Sequence, residues 1–81
     1  MKPKTHFLID KQTIREVGQA LWQIRYDKHL YLRNVAHQTG IPEDVIDGME
    51  IGKYARYGYL RKLADFYGVS IKITVKENNP K

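Results

Sequence analysis

Residues Leu32 to Gly52, L-R-N-V-A-H-Q-T-G-I-P-E-D-V-I-D-G-M-E-I-G, decide how this chain folds. Leu32, Val35 and Ala36 recur at helical spacing and share one apolar face, and Val45, Ile46 and Met49 do the same thirteen residues further on. Gly40, Ile41 and Pro42 separate the two patterns. A glycine readily takes the left-handed conformation that ends a helix, and a proline is tolerated where the next one begins, because the amide proton it lacks would be unpaired there anyway. The stretch therefore reads as two brief amphipathic helices hinged at Gly40. The outward positions of the second are expected to be Glu43, Asp44, Asp47 and Gly48.

Working outward, the paired helices have the layout of a helix-turn-helix. On the amino-terminal side, Ile14, Val17, Leu21 and Ile24 mark a longer helix with one buried stripe, running to about Lys28, with Arg15, Gln19 and Gln23 on its wet face. Asp10 and Thr13 are both candidate caps for it, and Thr13-Ile14-Arg15-Glu16 fits a capping box. On the carboxyl-terminal side, Ile51-Gly52 supplies a glycine stop, Lys53 to Tyr59 reads as a loop of cations and tyrosines, and Leu60, Leu63, Ala64 and Tyr67 predict a last helix closed by Gly68. Beyond Gly68 the period changes to two. Val69, Ile71, Ile73 and Val75 alternate with Ser70, Lys72, Thr74 and Lys76, which predicts a strand over 69–76 buried on one face. A lone strand leaves its ladder unpaired, so it needs the β-prone run His6–Ile9 or the same strand of a second copy. The expected architecture is one mostly α domain over 1–81, a bundle of four to five helices with its core in 10–68 and a C-terminal strand at 69–76.

Eighty-one residues suffice for one core but bury only about 60–65% of the unfolded surface. Pairing of two copies would add to that burial, and a homodimer is expected. No run approaches the roughly 20 apolar residues of a membrane span, and Met1-Lys2-Pro3-Lys4 is not followed by a signal-peptide core, so a cytoplasmic protein is expected. The chain has no cysteine, which excludes disulfides and thiolate metal sites. Its net charge of +5 is unevenly spread. Glu43, Asp44, Asp47 and Glu50 fall within eight residues that hold no Lys or Arg, leaving 14 cations against five acids elsewhere, a balance of +9. A basic body favours a polyanionic partner through counterion release from phosphate.

The positions Leu21, Ile24, Arg25, Val35-Ala36, Thr39-Gly40-Ile41, Ile46, Glu50, Gly52-Lys53, Leu60, Leu63-Ala64 and Gly68-Val69 together resemble the phage-repressor-like (Xre or Cro-like) helix-turn-helix domains. The resemblance spans Gly18 to Val69, about two-thirds of the chain. It implies a lambda-repressor-like bundle that binds double-stranded DNA as a dimer and regulates transcription, usually as a repressor. It also implies a partly buried ion pair between Arg25 and Glu50, tying the first helix to the end of the third. Carried over position by position, the base-reading residues are Glu43, Asp44, Asp47 and Gly48. These depart from the family's usual Gln, Ser, Thr, Lys, Arg or Asn, and Leu32 stands where the family has a backbone-clamping glutamine. Carboxylates can accept a hydrogen bond from cytosine N4, but beside phosphate charge. Arg33 and Asn34 at the start of the second helix, with Lys53, Tyr54 and Arg56 in the loop, are the expected phosphate contacts. For Tyr57 and Tyr59 packing against the bundle is the plainer expectation.

The acidic helix supports a second role, an interaction module that docks another, basic protein on the same scaffold. No enzyme and no cofactor are expected. His6, His29 and His37 lack metal-ligand spacing, Ser70 is the only serine, and the glycines form no phosphate loop. Acids in the first turn of a short helix are better explained by its dipole than by catalysis.

Overall fold

The computed structural model describes residues 11–70, and within them the chain forms four helices: α1 (Lys11–Asp27), α2 (Leu32–Thr39), α3 (Glu43–Glu50) and α4 (Tyr57–Tyr67). Asp10, His6–Ile9 and the greater part of the expected 69–76 strand lie outside the described residues, and Val69 and Ser70 belong to no regular element. The described bundle is thus mostly helical.

α1 is already helical at Lys11, two residues before the expected capping box. Glu16 instead accepts a hydrogen bond from Gln12 Nε2 at 2.9 Å, one turn back along the exposed face. The helix ends at a residue that sequence patterning passed over. His29 takes a φ of 57°, its amide donates to Tyr26 O, and the Leu30 amide donates to Arg25 O. This is the Schellman pairing of six-to-one and five-to-two bonds. α3 and α4 end in the same pairing, but around Gly52 (φ 84°) and Gly68 (φ 72°), with Lys53 donating to Gly48 O and Val69 to Ala64 O.

The expected hinge carries α2 into α3. Gly40 is left-handed at φ 78° and donates to Ala36 O. Thr39 Oγ1 donates to Val35 O at 2.7 Å and accepts the Ile41 amide at 3.2 Å, so one hydroxyl fastens both sides of the turn. Ile41 then enters the core, where Leu21, Val35, Ile46, Met49, Leu60, Leu63 and Tyr67 are also buried. α4 begins at Tyr57, three residues before the expected start, so Tyr57 to Tyr59 are helical and not loop.

α3 packs against both α1 and α2. Gly18, in the middle of α1, permits the first of these contacts. A Cβ placed there would overlap the Met49 carbonyl oxygen and stand 2.8 Å from the Glu50 oxygen, so helix meets helix backbone to backbone. Gly52 makes a second close approach, since a Cβ on it would lie 2.9 Å from Arg15 Cγ. No helix among the described residues is long and apolar enough to cross a membrane.

Candidate functional site

The attitude of α3 is set by Arg25 and Glu50. The Arg25 Nε donates to one Glu50 carboxylate oxygen at 2.8 Å and a terminal guanidinium nitrogen to the other at 2.9 Å, a bidentate pair. The remaining terminal nitrogen donates to Leu30 O at 2.9 Å. One planar group therefore joins the end of α1, the chain leading into α2 and the end of α3. Glu50 is buried and Arg25 nearly so, which makes hydrogen bonding compulsory for both. The bonds to Glu50 raise the Arg25 pKa above its usual value against the opposing effect of burial, and the charges of Glu50 and Asp47 reinforce them. Tyr67 lies within the electrostatic reach of the same pair. Burial is the main cause that pushes its phenol up to about 12, and the Glu50 charge adds to it. Its hydroxyl is buried with no hydrogen-bond partner among the described residues.

Pinned in this way, α3 buries Ile46 and Met49 and turns Glu43, Asp44 and Asp47 to solvent. None of these three carboxylates forms an ion pair with a Lys or Arg among the described residues. Gly48, expected beside them as an outward position, is a correction: it is buried. A Cβ there would fall 2.5 Å from the Tyr54 hydroxyl oxygen and 2.6 Å from Tyr54 Cζ, so the tyrosine ring covers the backbone at that point. Burial follows because the chain, after its reversal at Gly52, runs back alongside α3 and needs a residue without a side chain beneath the ring.

Cations flank α3 through neighbouring tyrosines. Arg33 is exposed on α2, with its guanidinium carbon 5.6 Å from the Tyr31 ring centroid, and it lines one open cleft together with Arg25, Tyr31, Leu32 and Glu43. Arg56 is exposed at the entry to α4 and sits 4.9 Å over the ring of Tyr54, the same ring that covers Gly48. Lys53 is exposed between them in sequence. Asn34 has structural work: its Oδ1 accepts the Tyr31 amide at 3.2 Å, one half of a capping arrangement for α2. Tyr59 packs against the core as expected, whereas Tyr57 is exposed.

Sequence reasoning missed three contributors. Gly18 carried a usable signal, an isolated glycine inside a helical pattern, which often marks a close approach. The Tyr31-Leu32-Arg33 and Tyr54-Ala55-Arg56 pairs share a tyrosine two residues before an arginine, a spacing with no structural meaning until the backbone is known. Trp22 and Tyr26, stacked at 5.0 Å on exposed turns of α1, follow from i, i+4 spacing. No family model, curated protein or solved structure matches the chain.

Proposed function

We propose that this protein is a DNA-binding transcriptional regulator of the phage-repressor-like helix-turn-helix type, cytoplasmic and dimeric, with the expected C-terminal strand as a candidate contact between copies. The observation that carries the reading is the arrangement around α3. A short helix stands with one face free and its angle held by the Arg25–Glu50 pair, while Arg33 shares a cleft with Glu43 in its first turn and Arg56 stacks on the ring that covers Gly48 in its second half. Such a layout suits a helix in the major groove with phosphate contacts on either side. In this reading Arg33, Lys53 and Arg56 hold the backbone, Glu43, Asp44 and Asp47 face base edges, Tyr54 and Asn34 support the cations and the α2 start, and Gly48 reads nothing.

Titration of the protein onto duplex DNA fragments across a series of salt concentrations tests it. Micromolar or tighter binding at low salt is expected, weakening with a log–log slope of roughly −3 if three phosphates are neutralised. Absence of binding at low salt, where counterion release contributes most, overturns the reading.

The three exposed carboxylates, in no ion pair among the described residues, favour a second reading, in which α3 docks a basic protein surface. Like charges facing phosphate oppose the first role, whereas a cationic partner would turn the same three groups to advantage. Replacing Glu43, Asp44 and Asp47 together by Gln separates the two. A rise in nonspecific DNA affinity with loss of a protein partner favours docking; altered sequence preference alone favours the regulator.

A further inference from the structure

We infer that Tyr54 is a positioning residue, whose ring fixes Arg56 relative to α3; its functional consequence rests on the DNA-binding reading. Three observations meet at this one side chain. The ring lies on the buried Gly48, in the second half of α3, so closely that even a methyl group there would collide with it. The Arg56 guanidinium carbon rests 4.9 Å from the same ring centroid. Tyr54 itself is half-buried and packs on the core, while Arg56 is exposed. The ring thus transmits position from helix backbone to a surface cation across two contacts.

An exposed arginine on its own samples many rotamers and loses that freedom on binding a phosphate. Stacking on an aromatic face restricts the guanidinium beforehand, and planar donors retain their outward edges for an anion while the face is occupied. Arg33 over Tyr31 is the comparison within the same molecule. There the supporting ring is itself 68% exposed, so it anchors its arginine to nothing rigid. Gly48 is explained at the same time: it leaves the gap in which the ring seats.

The test uses the full chain with Tyr54→Phe and Tyr54→Leu, each in the native and Arg56→Gln backgrounds. In the free protein, the Arg56 side-chain protons should show an upfield ring-current shift that persists in Tyr54→Phe and disappears in Tyr54→Leu. On a duplex at low salt, Tyr54→Leu should bind about two- to fivefold more weakly, the range of an exposed cation–π contact, with Tyr54→Phe restoring native affinity. In the Arg56→Gln background Tyr54→Leu should change affinity no further. Equal weakening in both backgrounds, or native affinity in Tyr54→Leu, overturns the inference while the DNA reading stands. A native chain that binds no duplex overturns the DNA reading and the functional role with it, and absence of the ring-current shift overturns the brace irrespective of DNA.

Discussion

His29 occupies a position that glycine fills at the ends of α3 and α4. A side chain in left-handed backbone crowds the following carbonyl, at a cost of about 1–2 kcal/mol that glycine escapes. Because glycine also enlarges the entropy of the unfolded chain, His29→Gly should raise stability by a smaller amount, about 0.5–1 kcal/mol, in urea unfolding. A loss of stability would mean that the imidazole makes a compensating contact. Tyr67 offers a second test at this scale. Its phenol ionises near 10 when unfolded and near 12 in the fold, so between those values the folded state keeps a proton that the unfolded state has released. The unfolded state then binds fewer protons, and stability falls as pH rises through that window, by up to about 1.4 kcal/mol per unit. Below pH 10 the group contributes no slope. Tyr67→Phe should remove this part of the alkaline decline, and a native-like slope in the variant would refute the assignment. The variant should also fold at least as well at neutral pH, because it deletes a buried hydroxyl that lacks a partner among the described residues.

At the scale of elements, glycines in two helices should respond oppositely to one methyl group. Alanine is ordinarily the better helix former by about 1 kcal/mol. Gly58→Ala in α4 meets nothing within 4 Å and should stabilise, by about 0.5 kcal/mol so near the helix start. Gly18→Ala puts the same carbon against the Met49 and Glu50 carbonyls and should destabilise by about 2 kcal/mol or more. Thermal melts of the two variants check the signs, and stabilisation by Gly18→Ala would mean that α1 and α3 are further apart than described. The helices themselves were largely legible in the sequence, because Leu21, Val35, Ile46, Met49, Leu60 and Leu63 keep one period and all are buried. Gly40 and Gly68 were legible as stops for the same local reason. Element starts were less so: neither Thr13 nor Leu60 opens a helix, since α1 is already helical at Lys11 and α4 at Tyr57, in turns that the apolar pattern does not mark. Gly48 was misplaced because helical periodicity alone puts it beside Asp47 and Asp44, and only the return of the chain at Tyr54 covers it. Side-chain partnerships across such returns have no periodic signature.

For the molecule as a whole, charge separation is the governing property. Among the described residues, three exposed carboxylates project from α3 with no Lys or Arg in an ion pair to them, on a chain whose net charge is +5. If copies pair as proposed, folding and association are linked, and the melting temperature should climb with protein concentration. Melts over a hundredfold concentration range, alongside sedimentation, decide this; a constant melting temperature with a monomer mass refutes the dimer. The Gly18 seam adds a mechanical consequence. Contacts between side chains yield by switching rotamers, but carbonyl oxygens against a helix backbone have none to switch. α1 and α3 must therefore travel as a single stiff unit, and any relative shift among the described helices falls to α2 and α4.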